Sequence, residues 1–163
     1  MNRPLKSTPP YPQTGWHWLR AQDLHDTPGE KPRKNKRCEF CGQEKVRFVH
    51  YLSHPDCKRT LAVGRKCAKA LSRDPRVETT EKYLHDRAPR KNEFIHHKGW
   101  RESAQGNFWI EYQGHHIVVV GYRLGQFKLR IDGVLGKLFF KNAVAAMGNA
   151  FDVVEEKRPE PGR

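Results

Sequence analysis

The stretch Cys38-Glu39-Phe40-Cys41-Gly42 decides how this chain is read. Two cysteines separated by two residues, with glycine next, form a knuckle. The tight turn aims both thiols at one point, and backbone N–H groups can reach the sulfurs. The remaining cysteines, Cys57 and Cys67, come singly. Zinc takes four ligands in a tetrahedron, and a closed set of four Cys, or of three Cys and one His, is structural. Cys67 opens a short predicted helix, whose N-terminus favours a thiolate. Cys57 is the simplest fourth ligand, and His50 and His54 compete with it. The expected site is a structural Zn2+ held by Cys38, Cys41, Cys57 and Cys67; a site completed by His54 instead leaves Cys57 free.

Outward from the knuckle, residues 46–52 are β-prone and partly alternating. His54-Pro55-Asp56 reads as a turn and residues 60–64 as a second β-prone piece, so a hairpin is expected. Residues 67–71 read as a short helix that stops before Asp74-Pro75. Upstream, residues 16–26 are expected to form a short helix with Trp18, Leu19 and Leu24 inward, broken by Thr27-Pro28-Gly29. Four prolines in residues 1–15 make that segment an extended or disordered tail. The zinc unit thus spans residues 16–75, including the basic stretch KPRKNKR at residues 31–37.

Residues 76–98 read as a charged helical connector, with Val77, Tyr83 and Leu84 on its docking face and an interruption or end at Pro89. A second unit follows at residues 99–155. Residues 107–112, 116–122 and 126–132 alternate as strands, with turns at Gln113-Gly114 and Leu124-Gly125. A further strand is expected at residues 135–140, after Asp132-Gly133. Residues 142–154 form an amphipathic helix with Val144, Met147, Phe151 and Val154 as its apolar stripe. A three- or four-stranded antiparallel meander covered by one helix results, and residues 156–163 form a disordered tail.

The chain has 163 residues, of which 36% are apolar. That is below the roughly 45–50% usual for a globular domain, so two small cores, one stapled by metal, fit better than one large core. No run approaches 18 apolar residues, so no membrane partner is expected. The N-terminal MNRPLKSTPPYPQ lacks the apolar region of a signal peptide, which predicts a cytoplasmic protein. Cysteines there serve as metal ligands rather than disulfides. Lys and Arg total 31 against 18 Asp and Glu, a net charge of +13, and about two thirds of the excess lies before residue 76. Such an excess points to a polyanion, nucleic acid first.

Residues 38–71 resemble a treble-clef-type zinc finger: a CxxCG knuckle, a β-hairpin, then a helix that supplies ligands. The string of Cys38 to Gly42, His50, His54-Pro55 and Val63-Gly64-x-x-Cys67-Ala68 is similar to that of small uncharacterised bacterial and phage proteins. In one respect the sequence departs from the pattern. Its helix offers only Cys67 where a close pair is usual, and Gly64 and Arg65 occupy the alternative places. Treble clefs serve DNA-binding, RNA-binding, ribosomal and protein-docking roles alike. The β-β-β-α order of residues 106–151 loosely resembles integrase arm-binding and plant ethylene-response-factor domains, which lay a sheet in the DNA major groove. The fold class expected is α+β: a small zinc-stabilised, treble-clef-like finger plus an antiparallel sheet with one C-terminal helix.

Two groups of residues are candidates for nucleic-acid contact. Arg33, Lys34, Lys36 and Arg37 precede the knuckle, and Lys58, Arg59, Arg65, Lys66 and Lys69 surround the last two cysteines. These suit phosphates, which give affinity without much sequence preference. On the second unit, if Phe127, Leu129 and Ile131 face the helix, then Lys128 and Arg130 face away, and Trp109 lies on the same polar face. A tryptophan beside cations suits base stacking. No P-loop, GxSxG, HExxH or Rossmann fingerprint is present. The expectation is a non-catalytic, zinc-stabilised nucleic-acid-binding protein, with DNA slightly ahead of RNA. One alternative is a protein-docking adapter of phage or mobile-element origin, with Trp16, Trp18 and Trp100 as anchors for a protein partner. The other is a metal-dependent nuclease using His54 and Asp56.

Overall fold

A computed structural model describes residues 11–156. The first ten residues of the predicted N-terminal tail, and residues 157–163 of the C-terminal one, lie outside the described residues. Among those described, the chain is α+β, with three α-helices and two antiparallel sheets. It divides into two compact units. The first comprises residues up to Asp26 together with Pro32–Arg87, and the second comprises Thr27–Lys31 and the chain from Ala88 onward.

The first unit is built on a three-stranded meander, β1 (His17–Asp23), β2 (Phe48–His54) and β3 (Cys57–Val63), in the order β1-β2-β3. The predicted hairpin is β2 and β3, joined through Pro55-Asp56. Residues 17–23, expected to be helical, are instead an edge strand antiparallel to β2. Pairing with β2 gives Trp18 both a packing surface and a hydrogen-bond partner, and tertiary context of this kind overrides weak local propensity. The register shifts between Trp18 and Arg20, and this bulge turns Leu19, which was expected to point inward, out to 49% exposure. Helix α1 (Arg65–Ser72) starts after Gly64 and ends at Arg73, which adopts a left-handed φ of 54°. Trp16, Leu24, Val49, Leu52, Leu61, Val63, Ala68 and Val77 fill the core.

Helix α2 (Arg76–Ile95) begins in the first unit and ends in the second. Pro89 was expected to interrupt or end it, yet the helix runs through. Proline removes one ladder hydrogen bond, to the carbonyl of His85. That cost is borne because the following turns are anchored: Phe94 is buried in the second core, and the buried Lys91 pairs with Asp152 at 2.9 Å.

In the second unit, β4 (Arg101–Glu102), β5 (Phe108–Tyr112), β6 (His115–Gly121), β7 (Phe127–Ile131) and β8 (Val134–Leu135) form a five-stranded antiparallel meander in chain order. The expected three or four strands are thus five, because Arg101–Glu102 pairs with Phe108 and Trp109. The strand expected over residues 135–140 is shorter, with Phe140 returning alone to bridge Phe127. Asp132 and Gly133, with φ of 50° and 82°, form the tight turn between β7 and β8. Helix α3 (Ala143–Glu156) covers one face. Asn142 caps it, its Oδ1 accepting the N–H of Ala145 at 2.8 Å. The expected stripe is rotated: Val144 is 37% exposed, while Ala146 and Ala150 join Met147, Phe151 and Val154 inside. Gly148 lets Pro28 pack against the helix, since a Cβ there would lie 2.3 Å from Cγ of Pro28.

Candidate metal centre

The knuckle is shaped by its own backbone. Cys38 donates its N–H to the Gln43 carbonyl and accepts that of Gly42 at its own carbonyl, both at 2.8 Å. Gly42, with φ of 75°, supplies the positive φ that the turn requires. Glu39 fastens the knuckle to β3: its N–H reaches the Ala62 carbonyl at 3.0 Å, and its carboxylate accepts the Ala62 N–H at 2.5 Å. Helix α1 then begins one residue beyond β3 and delivers Cys67 in its first turn.

Cys38, Cys41 and Cys67 therefore converge, with their sulfurs all within 4.8 Å of one another. Sulfurs around a single tetrahedral zinc stand about 3.8 Å apart, so the group has the size of a metal site. No disulfide joins them. Cys38 is buried, Cys67 half-buried and Cys41 exposed. The Cys38 thiol is held down to about 5, by a hydrogen bond from Cys67 above all, with N–H groups of Cys41, Gly64 and Phe40 overcoming the effect of burial. The Cys67 thiol is pushed up, because it donates to Cys38 and is half-buried beside Cys41. The two sulfurs are thus joined by one S–H···S hydrogen bond. A thiophilic cation replaces such a proton directly, and this trio can hold a metal ion.

Cys57, the expected fourth ligand, is not brought to this group. It opens β3 directly opposite His54, at the far end of the strand from Ala62. Five residues of strand are about 16 Å. His54 shares that remote end. Its Nε2 lies 3.1 Å from the Thr14 carbonyl, and its Nδ1 accepts the Asp56 N–H at 3.1 Å. His50, opposite Val63 on β3, is fully buried with both ring nitrogens occupied. Its Nδ1 accepts the indole N–H of Trp18 at 3.1 Å, and its Nε2 faces Glu81 Oε2 at 2.8 Å.

All nine predicted phosphate contacts of the first unit, Arg33, Lys34, Lys36, Arg37, Lys58, Arg59, Arg65, Lys66 and Lys69, are exposed. Three of them are committed to acids: Arg59 to Glu39 at 2.9 Å, Arg65 to Glu81 at 3.6 Å and Lys69 to Glu78 at 2.6 Å. Arg37 donates to the Gly42 carbonyl at 3.1 Å, which places it on the knuckle.

On the second unit, alternation places Trp109, Lys128 and Arg130 as expected, on the sheet face opposite the buried Ile110, Leu129 and Ile131. Cross-strand pairing lines up Arg101, Trp109, Val118, Arg130 and Leu135 in one row over all five strands. The Arg101 guanidinium lies 5.3 Å from the centre of the Trp109 ring. Tyr122 and Phe139, unflagged in the sequence, stand at 46% and 53% exposure with Lys128 Nζ over both rings, 5.3 and 4.6 Å away. An aromatic in a run as apolar as Leu138-Phe139-Phe140 reads as core; only the bridge of Phe140 to Phe127 shows which of the two turns out. The tryptophans expected as docking anchors point inward. Trp16 is buried, and Trp100 donates its indole N–H to the Phe94 carbonyl at 2.9 Å.

Comparison with known proteins finds no matching family model, curated protein or solved structure. Among the described residues, no helix is long and apolar enough to cross a membrane.

Proposed function

We propose that this is a non-catalytic nucleic-acid-binding protein whose first unit is held by a structural zinc ion in a treble-clef-like finger. The observation that carries the reading is the row Arg101, Trp109, Val118 and Arg130 on the exposed sheet face, flanked by Lys128 with Tyr122 and Phe139. Cations that take phosphates alternate there with flat rings that take bases. The net charge of +13 supports the same partner. Zinc is the metal of choice for a thiolate set in a reducing cytoplasm. The metal's role is to replace the hydrophobic energy that a charge-rich unit lacks.

The test is fluorescence anisotropy with labelled single- and double-stranded DNA and RNA across a salt series. The expected result is binding that weakens steeply and log-linearly with salt. Absence of binding to all four at low salt overturns the reading. A protein-docking role draws on the exposed Leu135, Leu138 and Phe139; it predicts association that is indifferent to salt.

A further inference from the structure

We propose that the metal centre is a three-thiolate site whose fourth donor comes from solution, so that its ion is exchangeable instead of sealed. This rests on the metal reading above and goes beyond it, because a four-cysteine set is closed and this one is not. Only Cys38, Cys41 and Cys67 group among the described cysteines, histidines and acids. Cys57 is tied by strand pairing to the remote end of β3. The ring nitrogens of His50 and His54 are engaged elsewhere. Residues 1–10 and 157–163 contain neither cysteine nor histidine.

The geometry also indicates the side of approach. Of the three, Cys38 is buried and Cys41 exposed, so solvent reaches the trio from the Cys41 side. Arg65, two residues before Cys67, carries no donor for a cation and is turned to Glu81. An ion held by three protein ligands keeps a position for water or another small donor. A site of this kind yields its ion to competitors more readily than a closed one, which makes the folding of the first unit responsive to metal supply.

Cobalt(II) substitution of the full-length protein tests this, with imidazole as the exogenous donor. The expected result is thiolate-to-cobalt charge transfer that is unchanged in Cys57→Ser, together with visible d–d bands that shift when imidazole is added. Cys67→Ser should lose about a third of the charge-transfer intensity, or all of it if the unit unfolds. Equal loss in Cys57→Ser overturns the proposal by showing a fourth thiolate, and so do d–d bands that ignore imidazole. Failure of the wild-type protein to take up cobalt is a different outcome: it removes the metal reading itself.

Discussion

The buried His50 and the half-buried Glu81 pair at 2.8 Å, and the ring's second nitrogen is already taken by Trp18 at 3.1 Å. An indole N–H only donates, so Nδ1 accepts and Nε2 carries the proton given to Glu81. The three side chains join β1, β2 and α2 inside the first unit. Replacing His50 by leucine strands the Trp18 N–H and leaves the Glu81 carboxylate only its 3.6 Å ion pair with Arg65. The expected cost is about 3 kcal/mol, with His50→Gln costing less because its amide restores one bond. Urea unfolding should show this as a lower midpoint at unchanged slope.

Metal removal should act on one unit only. The trio belongs to the first unit, and the second has its own core of Phe94, Ile110, Ile117, Val119 and Phe151. A chelator, or Cys41→Ser, is expected to collapse the amide resonances of the first unit while those of residues 108–131 stay dispersed. Loss of both sets together would show that the second unit has no independent stability.

How much of this was legible follows from where each signal lives. The strands β5 to β7 alternate strongly, so Lys128 and Arg130 were placed by period alone, and Asp132-Gly133 announced its turn. Cys38, Cys41 and Cys67 were legible because the knuckle and helix start are local. Cys57 lies apart from them because hairpin register, which no spacing rule encodes, sets it opposite His54. Residues 17–23 were read as a helix because their strand is stabilised by Trp18 on His50, a partner 32 residues away. Two-residue strands such as Arg101–Glu102 carry no period to read.

Asp23 supplies a pH dependence. Burial alone would raise its carboxyl, but hydrogen bonds from Arg47, at 2.8 and 2.7 Å, and from the His25 N–H lower it overall. A carboxyl lower in the folded state than in the unfolded chain stabilises fully above the unfolded value, near 3.8. That contribution is lost as pH falls through the folded value. Asp23→Asn should cost about 2 kcal/mol at neutral pH and lose less stability than wild type on acidification below pH 4. Parallel losses in the two proteins would remove Asp23 as the source.

The sheet face gives the prediction closest to function. Arg130 is exposed and Lys128 half-buried, and neither side chain contributes to the second core. Their joint replacement by alanine should therefore leave the melting temperature within a few degrees of wild type. If each holds one phosphate, the salt slope of nucleic-acid binding falls by about 1.4 to 1.8. Trp109→Ala should behave differently. It removes a stacking ring and no cation, so affinity for single strands drops by about 1–3 kcal/mol while the slope stays put. Measuring both variants over the same salt series separates charge from stacking. Full affinity in both moves the binding surface off this sheet and onto the exposed cations of the first unit, Lys34, Lys58 and Lys66 among them.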